Sequence, residues 1–248
     1  MKASDRHKKI EAILREKGDL SVAEIAILTG VSEATVRRDL IVMEQKQMIS
    51  RFWGGAKISD SDEMAPDYIK DENILRYSKY YNTKKELAKY AASLIPDGSY
   101  VFIDAGSTLY HMFEYITAKD IVVVTNNIYN LQVLAQKKIE TFIPQGFVNF
   151  GAAAIISAET ALALSEMNYD IAFLGTQGID ERAGYSSSDN YDSGLKKMVA
   201  KQAIKTYVVS DASKFGKKKL FKFAELNSVT LITNEQPPFS INDCIVVR

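Results

Sequence analysis

The stretch Val31-Ser-Glu-Ala-Thr-Val-Arg-Arg-Asp-Leu40 holds the side chains with the most legible chemistry in this 248-residue chain. Ser32 is a residue type that caps helices, and Val36, Leu40 and Met43 follow at a spacing that gives a single apolar stripe. At about 100° per residue, Ala34, Arg38 and Gln45 fall opposite that stripe, with Thr35 and Arg37 on its flanks. Such a face suits a DNA major groove. Arg takes the two guanine acceptors or a phosphate, Thr can do either, and Ala lets the backbones approach. The segment alone leaves open a solvated helix face that merely holds two arginines.

A second set of polar residues follows short apolar runs: Asp104-Ala-Gly-Ser-Thr108, Thr125-Asn126-Asn127, Gln145-Gly146, Gly175-Thr-Gln-Gly178 and Ser210-Asp-Ala-Ser-Lys-Phe-Gly216. Any one of them is ordinary turn chemistry. Together, five ends rich in hydroxyls, amides and glycines point to a polyhydroxylated or phosphorylated small molecule. Gly106-Ser107-Thr108 is expected to open a helix, whose free N–H groups and dipole favour an anion, and Lys196 or Lys214 adds positive charge. Asp104, Asp211 and Lys214 could also form an acid and base pair with an electrostatic partner, as sugar-phosphate isomerisation needs. No nucleophile has a base beside it, and His111 lies in a helical stretch where burial is the expectation, so binding without turnover is the preferred reading.

The elements around these residues come from periodicity and punctuation. Ile10, Ile13 and Leu14 mark a first helix; Ser21-Val-Ala-Glu24 is a capping box opening a second, with Val22, Ile25 and Ala26 inward. Thr29-Gly30-Val31 turns into the helix at Ser32, completing a helix-turn-helix. Met48 to Ile58 reads as two strands about Gly54-Gly55, a wing from which Arg51 and Lys57 can reach phosphates. Trp53 either stacks on DNA or packs the wing over Ile41. Residues 59–73, acidic and without a period, read as a linker. A helical pattern over Ile74 to Ile95 follows.

Strand candidates come next: Tyr100 to Asp104, Ile121 to Thr125, Thr141 to Pro144, Ile171 to Gly175, Tyr207 to Ser210, Val229 to Thr233 and Cys244 to Val247. Continuous apolar runs separated by helix-length segments predict a mainly parallel sheet covered on both faces, with ligands beyond its carboxyl ends. The expected division is therefore a winged helix-turn-helix domain over 1–58, a linker over 59–73 and an α/β effector-sensing domain over 74–248.

Lys+Arg and Asp+Glu both number 31, but the neutral total hides a division: residues 1–57 hold 11 basic and 8 acidic side chains, net +3, and the remainder is net −3. A basic head on an acidic body fits DNA binding. One Cys and two His residues give no intrachain disulfide and no cluster with metal-ligand spacing. A charged N-terminus with no apolar run of spanning length predicts a cytoplasmic protein with no membrane partner and no cofactor.

The order of these motifs resembles the DeoR family of bacterial transcription regulators over essentially the whole chain. The resemblance rests on Val31-Ser-x-x-Thr-Val-Arg-Arg-Asp-Leu40, Arg51-x-x-Gly-Gly-Ala56, Asp104-x-Gly-Ser-Thr108 and Thr125-Asn126. It continues through Phe173-Leu-Gly175 with Gly178-Ile-Asp180, Lys196 and Asp211-x-Ser-Lys-Phe-Gly216. It implies a repressor whose C-terminal domain, similar in fold to ribose-5-phosphate isomerase, senses a phosphorylated sugar. An isomerase-like enzyme with a DNA-binding head is the alternative.

Carried over by residue, DNA contacts fall on Ser32, Ala34, Thr35, Arg37, Arg38, Arg51 and Lys57. Effector contacts fall on Asp104, Gly106, Ser107, Thr108, Thr125, Asn126, Gly146, Lys196, Asp211 and Lys214. The pattern departs at Gln47, Trp53, Leu75, Gln145, Asn149 and Ser157, and Asn149 stands where the family has an Arg able to hold a phosphate. A homo-oligomer, dimer or tetramer, is expected on an inverted-repeat operator of double-stranded DNA.

Overall fold

The computed structural model describes residues 3–45, 49–52, 55–58 and 80–247. Trp53, Gln47, the 59–73 linker and residues 74–79 lie outside the described residues. The chain forms two compact units, Met1–Asp67 and Tyr68–Arg248.

The first unit packs α1 (Ala3–Lys17), α2 (Val22–Thr29) and α3 (Glu33–Gln45) against a small antiparallel sheet of β1 (Leu20–Ser21), β2 (Ile49–Phe52) and β3 (Gly55–Ile58). The stripe of α3 does what its spacing requires: Val36, Leu40 and Met43 are buried with Ile10, Leu14, Val22 and Ile25 in one core. Ser21 caps α2 by a full capping box with Glu24, and Gly30, at φ 75, ends the helix through its N–H to the Ala26 carbonyl at 2.9 Å. A left-handed residue there is accommodated by glycine at no steric cost. The sheet has one strand more than the wing alone: Leu20 and Ser21 pair with Ala56 and Gly55. Two residues give no periodic signal, so only tertiary pairing makes this a strand.

The second unit opens on α4 (Tyr81–Ala92). Its main sheet joins β4 (Tyr100–Ile103), β5 (Val122–Thr125), β6 (Glu140–Phe142), β9 (Tyr169–Leu174), β12 (Ala203–Val209), β14 (Thr230–Thr233) and β15 (Cys244–Val246). The order is β15-β14-β12-β9-β4-β5-β6 and each pairing is parallel. All seven strands overlap the apolar runs, and the inner ones are apolar because both faces are covered; β6 at the edge is the exception, with Glu140 and Phe142 exposed. Val101 and Ile103 of β4 enter one core, beside α4, α5 (Met112–Tyr115) and α6 (Leu131–Gln136). Phe102 enters the other, beside α7 (Ala158–Ser165) and α8 (Asn190–Gln202). With residues facing alternately into two apolar layers, no position in such a strand favours a polar side chain.

Two further groups complete the unit: a hairpin of β7 (Val148–Asn149) and β8 (Ala154–Ile155), and an antiparallel sheet of β10 (Gly178–Asp180), β11 (Gly184–Ser187) and β13 (Phe221–Ala224). Sequence periodicity marked neither. From β4 the chain runs outward through β5 to β6, then returns to β9 on the other side of β4. The strand order therefore reverses between β4 and β9, where ligands collect in open α/β sheets. Among the described residues no helix is long and apolar enough to cross a membrane, and no group of three or more His, Cys, Asp or Glu could hold a metal ion.

Candidate nucleic-acid interface and effector cavity

On α3 the exposed side chains include Glu33, Ala34, Arg37 and Arg38, with Ser32 exposed at its start and Thr35 half-buried. Ser32 Oγ accepts the Thr35 N–H at 3.3 Å and lies 3.0 Å from the Thr35 hydroxyl, so it caps the helix as its type predicts. Arg37 rests on Glu33 one turn back at 3.1 Å, an exposed pair that a phosphate can displace at little cost. Arg51 and Lys57 stand on β2 and β3, with Arg51 opposite Ala56 and Lys57 opposite Ser50.

Beneath α3 lies a cluster that the sequence reading passed over. Asp39 is buried, receives both Arg6 Nε and Arg6 Nη2, the latter at 2.8 Å, and lies 3.0 Å from His7 Nε2. The paired Arg6 and His7 hold the Asp39 carboxyl below its usual range despite its burial. This joint fixes α1 to the helix that carries Arg37 and Arg38. Its signal was available, since Asp39 sits beside Val36 and Leu40 on the inward side, where a carboxylate requires a cation.

In the second unit a cavity of about 370 Å³ opens at the carboxyl ends of β4, β9 and β12. Gly106, Ser107, Thr108, Asp211 and Lys214 line it from their positions after the strands, and Lys196 reaches it from α8. Asp104 lies directly underneath at zero exposure. It accepts the Gly175 N–H at 2.9 Å and approaches Lys196 Nζ at 3.4 Å. Lys196 also donates to Asp192 at 2.6 Å, and Asp192 accepts the Ser187 hydroxyl at 2.6 Å. Burial raises the Asp104 carboxyl above its ordinary range; Lys196 opposes the rise and Asp192 adds to it.

Four expected contacts are corrected, the first being Asp104, which lies beneath the wall and not on it. Thr125 and Asn126 are fully buried and do not reach the cavity wall: Thr125 Oγ1 donates to the Ile103 carbonyl, and Asn126 Oδ1 accepts the Ala105 N–H. They shape the 105–108 loop from below. Gly146, at φ 145, is also away from the wall; a Cβ there would come within 2.1 Å of Thr160 Oγ1. The expected helix after Gly106-Ser107-Thr108 is a single 3-10 turn, Leu109–His111, running into the four-residue α5. Its dipole is correspondingly small, so the positive potential of the cavity comes from lysines.

Those lysines include two that the sequence reading missed. Lys84 is buried on α4 and donates to Ser107 Oγ at 2.9 Å, and Lys217 lines the wall beside Lys214. Lys84 could have been found, because Leu87, Ala88 and Ala91 follow it at i+3, i+4 and i+7 on the apolar stripe. Asn149, Gly151 and Ala152 of the β7–β8 hairpin close another side, and Thr176, Gln177, Ser188, Asp189 and Ser213 add polar groups. Hydroxyls, amides and cations around an open cavity of this size suit an anionic, hydroxylated small molecule.

Both units match known protein families. A model described as the DeoR-like helix-turn-helix domain matches residues 6–62, and one described as the DeoR C terminal sensor domain matches residues 79–235. The HTH-type transcriptional regulator FruR of Bacillus subtilis is 35% identical over 95% of this chain and 92% of its own. The glycerol-3-phosphate regulon repressor of Haemophilus influenzae is 29% identical over 98% of this chain and 93% of its own. The lactose phosphotransferase system repressor of Streptococcus mutans is 28% identical, covering 95% and 94%. Ribose 5 phosphate isomerase A of Neisseria gonorrhoeae aligns over 53% of this chain and 52% of its own, at 18% identity and a TM-score of 0.39.

Proposed function

The chain belongs to the DeoR family of transcription regulators, and from that premise we propose that it is a repressor of a carbohydrate operon whose grip on DNA is set by a phosphorylated sugar. The observation that carries the effector half is the cavity at the β4/β9 reversal, with Lys84, Lys196, Lys214 and Lys217 among hydroxyls and amides. The relatives' names concern glycerol 3-phosphate and the lactose phosphotransferase system, which are phosphorylated small carbohydrates or their transport. The domain boundaries follow the sequence reading: a DNA-binding domain over 1–58, a linker over 59–73 and a sensor over 74–248.

In this reading Arg38 and its neighbours on α3 read base edges while Arg51 and Lys57 hold phosphates. Two copies about a two-fold axis meet an inverted repeat with half-sites one helical turn or a multiple apart. The setting is the cytoplasm, where the operator and sugar phosphates are. The cavity binds without turnover. The two carboxylates an isomerase mechanism would employ each have one oxygen engaged, Asp104 Oδ2 with Gly175 and Lys196, and Asp211 Oδ1 with the Ser213 N–H at 3.0 Å, which favours a structural role for them.

The test is a panel of sugar phosphates read by thermal shift, followed by operator binding with the stabilising compound present. A ligand that raises the melting temperature and weakens operator binding is the expected result. Ligand-independent operator binding would remove the effector half, and sustained conversion of the compound would restore the enzyme.

A further inference from the structure

Hairpin β7–β8 has two faces of opposite character. Asn149, Gly151 and Ala152 line the cavity, whereas Val148 and the flanking Phe147 and Phe150 are 43%, 76% and 69% exposed. On β7 Val148 is out and Asn149 in, and in the turn that follows Phe150 is out again while Gly151 and Ala152 reach the pocket. Cross-strand pairing agrees: Asn149 faces buried Ala154, and Val148 faces Ile155. Phe142, which ends β6, and Ile143 are 45% and 37% exposed, and β6 is the last strand of the main sheet. Five large apolar side chains thus lie exposed within nine residues, next to a sheet edge that invites pairing.

Their exposed area is roughly 500 Å², taking 150–250 Å² for a complete aromatic side chain. That is the size of a functional patch rather than scattered surface apolarity. With an interface about 56–65% apolar, it implies roughly 800 Å² per partner, the amount a stable pair of proteins buries. A patch that includes a strand edge is also self-complementary, as a two-fold contact requires.

We propose that the outer face of β7–β8, with the end of β6, is the surface on which a second copy of this chain seats. This rests on the homo-oligomer in the reading above and locates its sensor contact, placing partner and ligand on opposite faces of one hairpin.

Sedimentation of the full-length protein tests it, comparing wild type with Phe147→Asp/Val148→Asp, with the milder pair Phe147→Ser/Val148→Thr, and with Ile204→Asp as a control. Ile204 is 83% exposed at the start of β12, at the other end of the strands. The aspartate pair should halve the weight-average mass, the milder pair should weaken association by at least tenfold in concentration, and the control should keep the wild-type mass. The control should melt within about 2 °C of wild type, and the hairpin variants should still melt in one cooperative transition, lowered only by the association they lose. A wild-type mass for both hairpin pairs, as when the chain's own linker or a different protein covers the patch, overturns the proposal and leaves the oligomer standing. Dissociation by Ile204→Asp alone moves the interface and overturns it too. A monomeric wild type rejects the oligomer itself.

Discussion

On α3 the side chains proposed to face DNA are mostly exposed and tied to little more than one another, as Arg37 is to Glu33. At the cavity Lys84, Asp104, Asp192, Lys196 and Asp211 are buried, and the three at its floor interlock, so that Lys196 answers to Asp192 and Asp104 at once. The two regions divide recognition from sensing along the same line as burial. An exposed reader can change its sequence preference without unfolding the domain. A buried sensor cannot lose a charge without disturbing the charges around it.

The strongest way to break this comparison is Lys196→Met. It leaves two buried carboxylates without their cation, and such half-pairs cost about 3–5 kcal/mol. Urea unfolding at pH 7 should show that loss, and the thermal shift from a sugar phosphate should vanish. Because burial already favours the protonated form of Asp104, the penalty should shrink at pH 5, where proton uptake relieves it. A variant as stable as wild type at both pH values would mean that the cluster is not interlocked.

His111 sharpens the comparison from a neighbouring position. It is 4% exposed between the rings of Tyr81 and Tyr110, and burial, with Lys84 and Lys85 nearby, lowers its pKa to about 4. The unfolded chain takes up a proton near pH 6.5 that the folded chain refuses until about pH 4. Stability from this group is therefore complete above pH 6.5 and falls as pH drops through that window, by up to roughly 3 kcal/mol. His111→Asn should remove that slope between pH 7 and 4.5. Its persistence would assign the slope to other groups.

Arg38→Ala is the counterpart on the exposed side. It should weaken binding to the correct operator by about 1–3 kcal/mol, relaxing preference at one base pair, while stability stays within about 0.5 kcal/mol. Equal weakening on every DNA sequence would reassign Arg38 to a phosphate. A large loss of stability would contradict its exposure and bring the two regions together.

The contrast also explains what could be read in advance. The inner strands of the main sheet were legible because apolar runs are required where both faces are covered, and α3 was legible because one face is exposed and the other is not. Strands β10, β11 and β13 were not. Tyr185-Ser-Ser187 is completely buried, and its serine hydroxyls find their partners only in the fold, Ser187 on Asp192 and Ser186 with the Lys219 N–H 33 residues on. In the site, residues at strand ends were correctly brought to the cavity, whereas Thr125 and Asn126 share the same chemistry and serve the loop instead. Type and strand-end position cannot separate a side chain that lines a pocket from one that props up its wall. The buried Lys84 and Asp39 carried a different signal: a charge on an apolar helical stripe demands a partner.

The smallest effect tests the boundary between capping and contact. Ser32 is expected to touch DNA and also accepts the Thr35 N–H. Replacing an N-cap Ser by Ala costs about 1 kcal/mol, but by Gly only a few tenths, because Gly leaves the first turn open to water. Ser32→Ala and Ser32→Gly therefore differ in stability while both lack the hydroxyl. If Ser32 only caps, Ser32→Gly should bind operator almost as wild type does and Ser32→Ala less well. If the hydroxyl reaches a phosphate or base, both should lose the same affinity, by about 1 kcal/mol for one hydrogen bond. Operator titrations of the pair at one salt concentration decide whether the exposed reader begins at its first residue or one turn later.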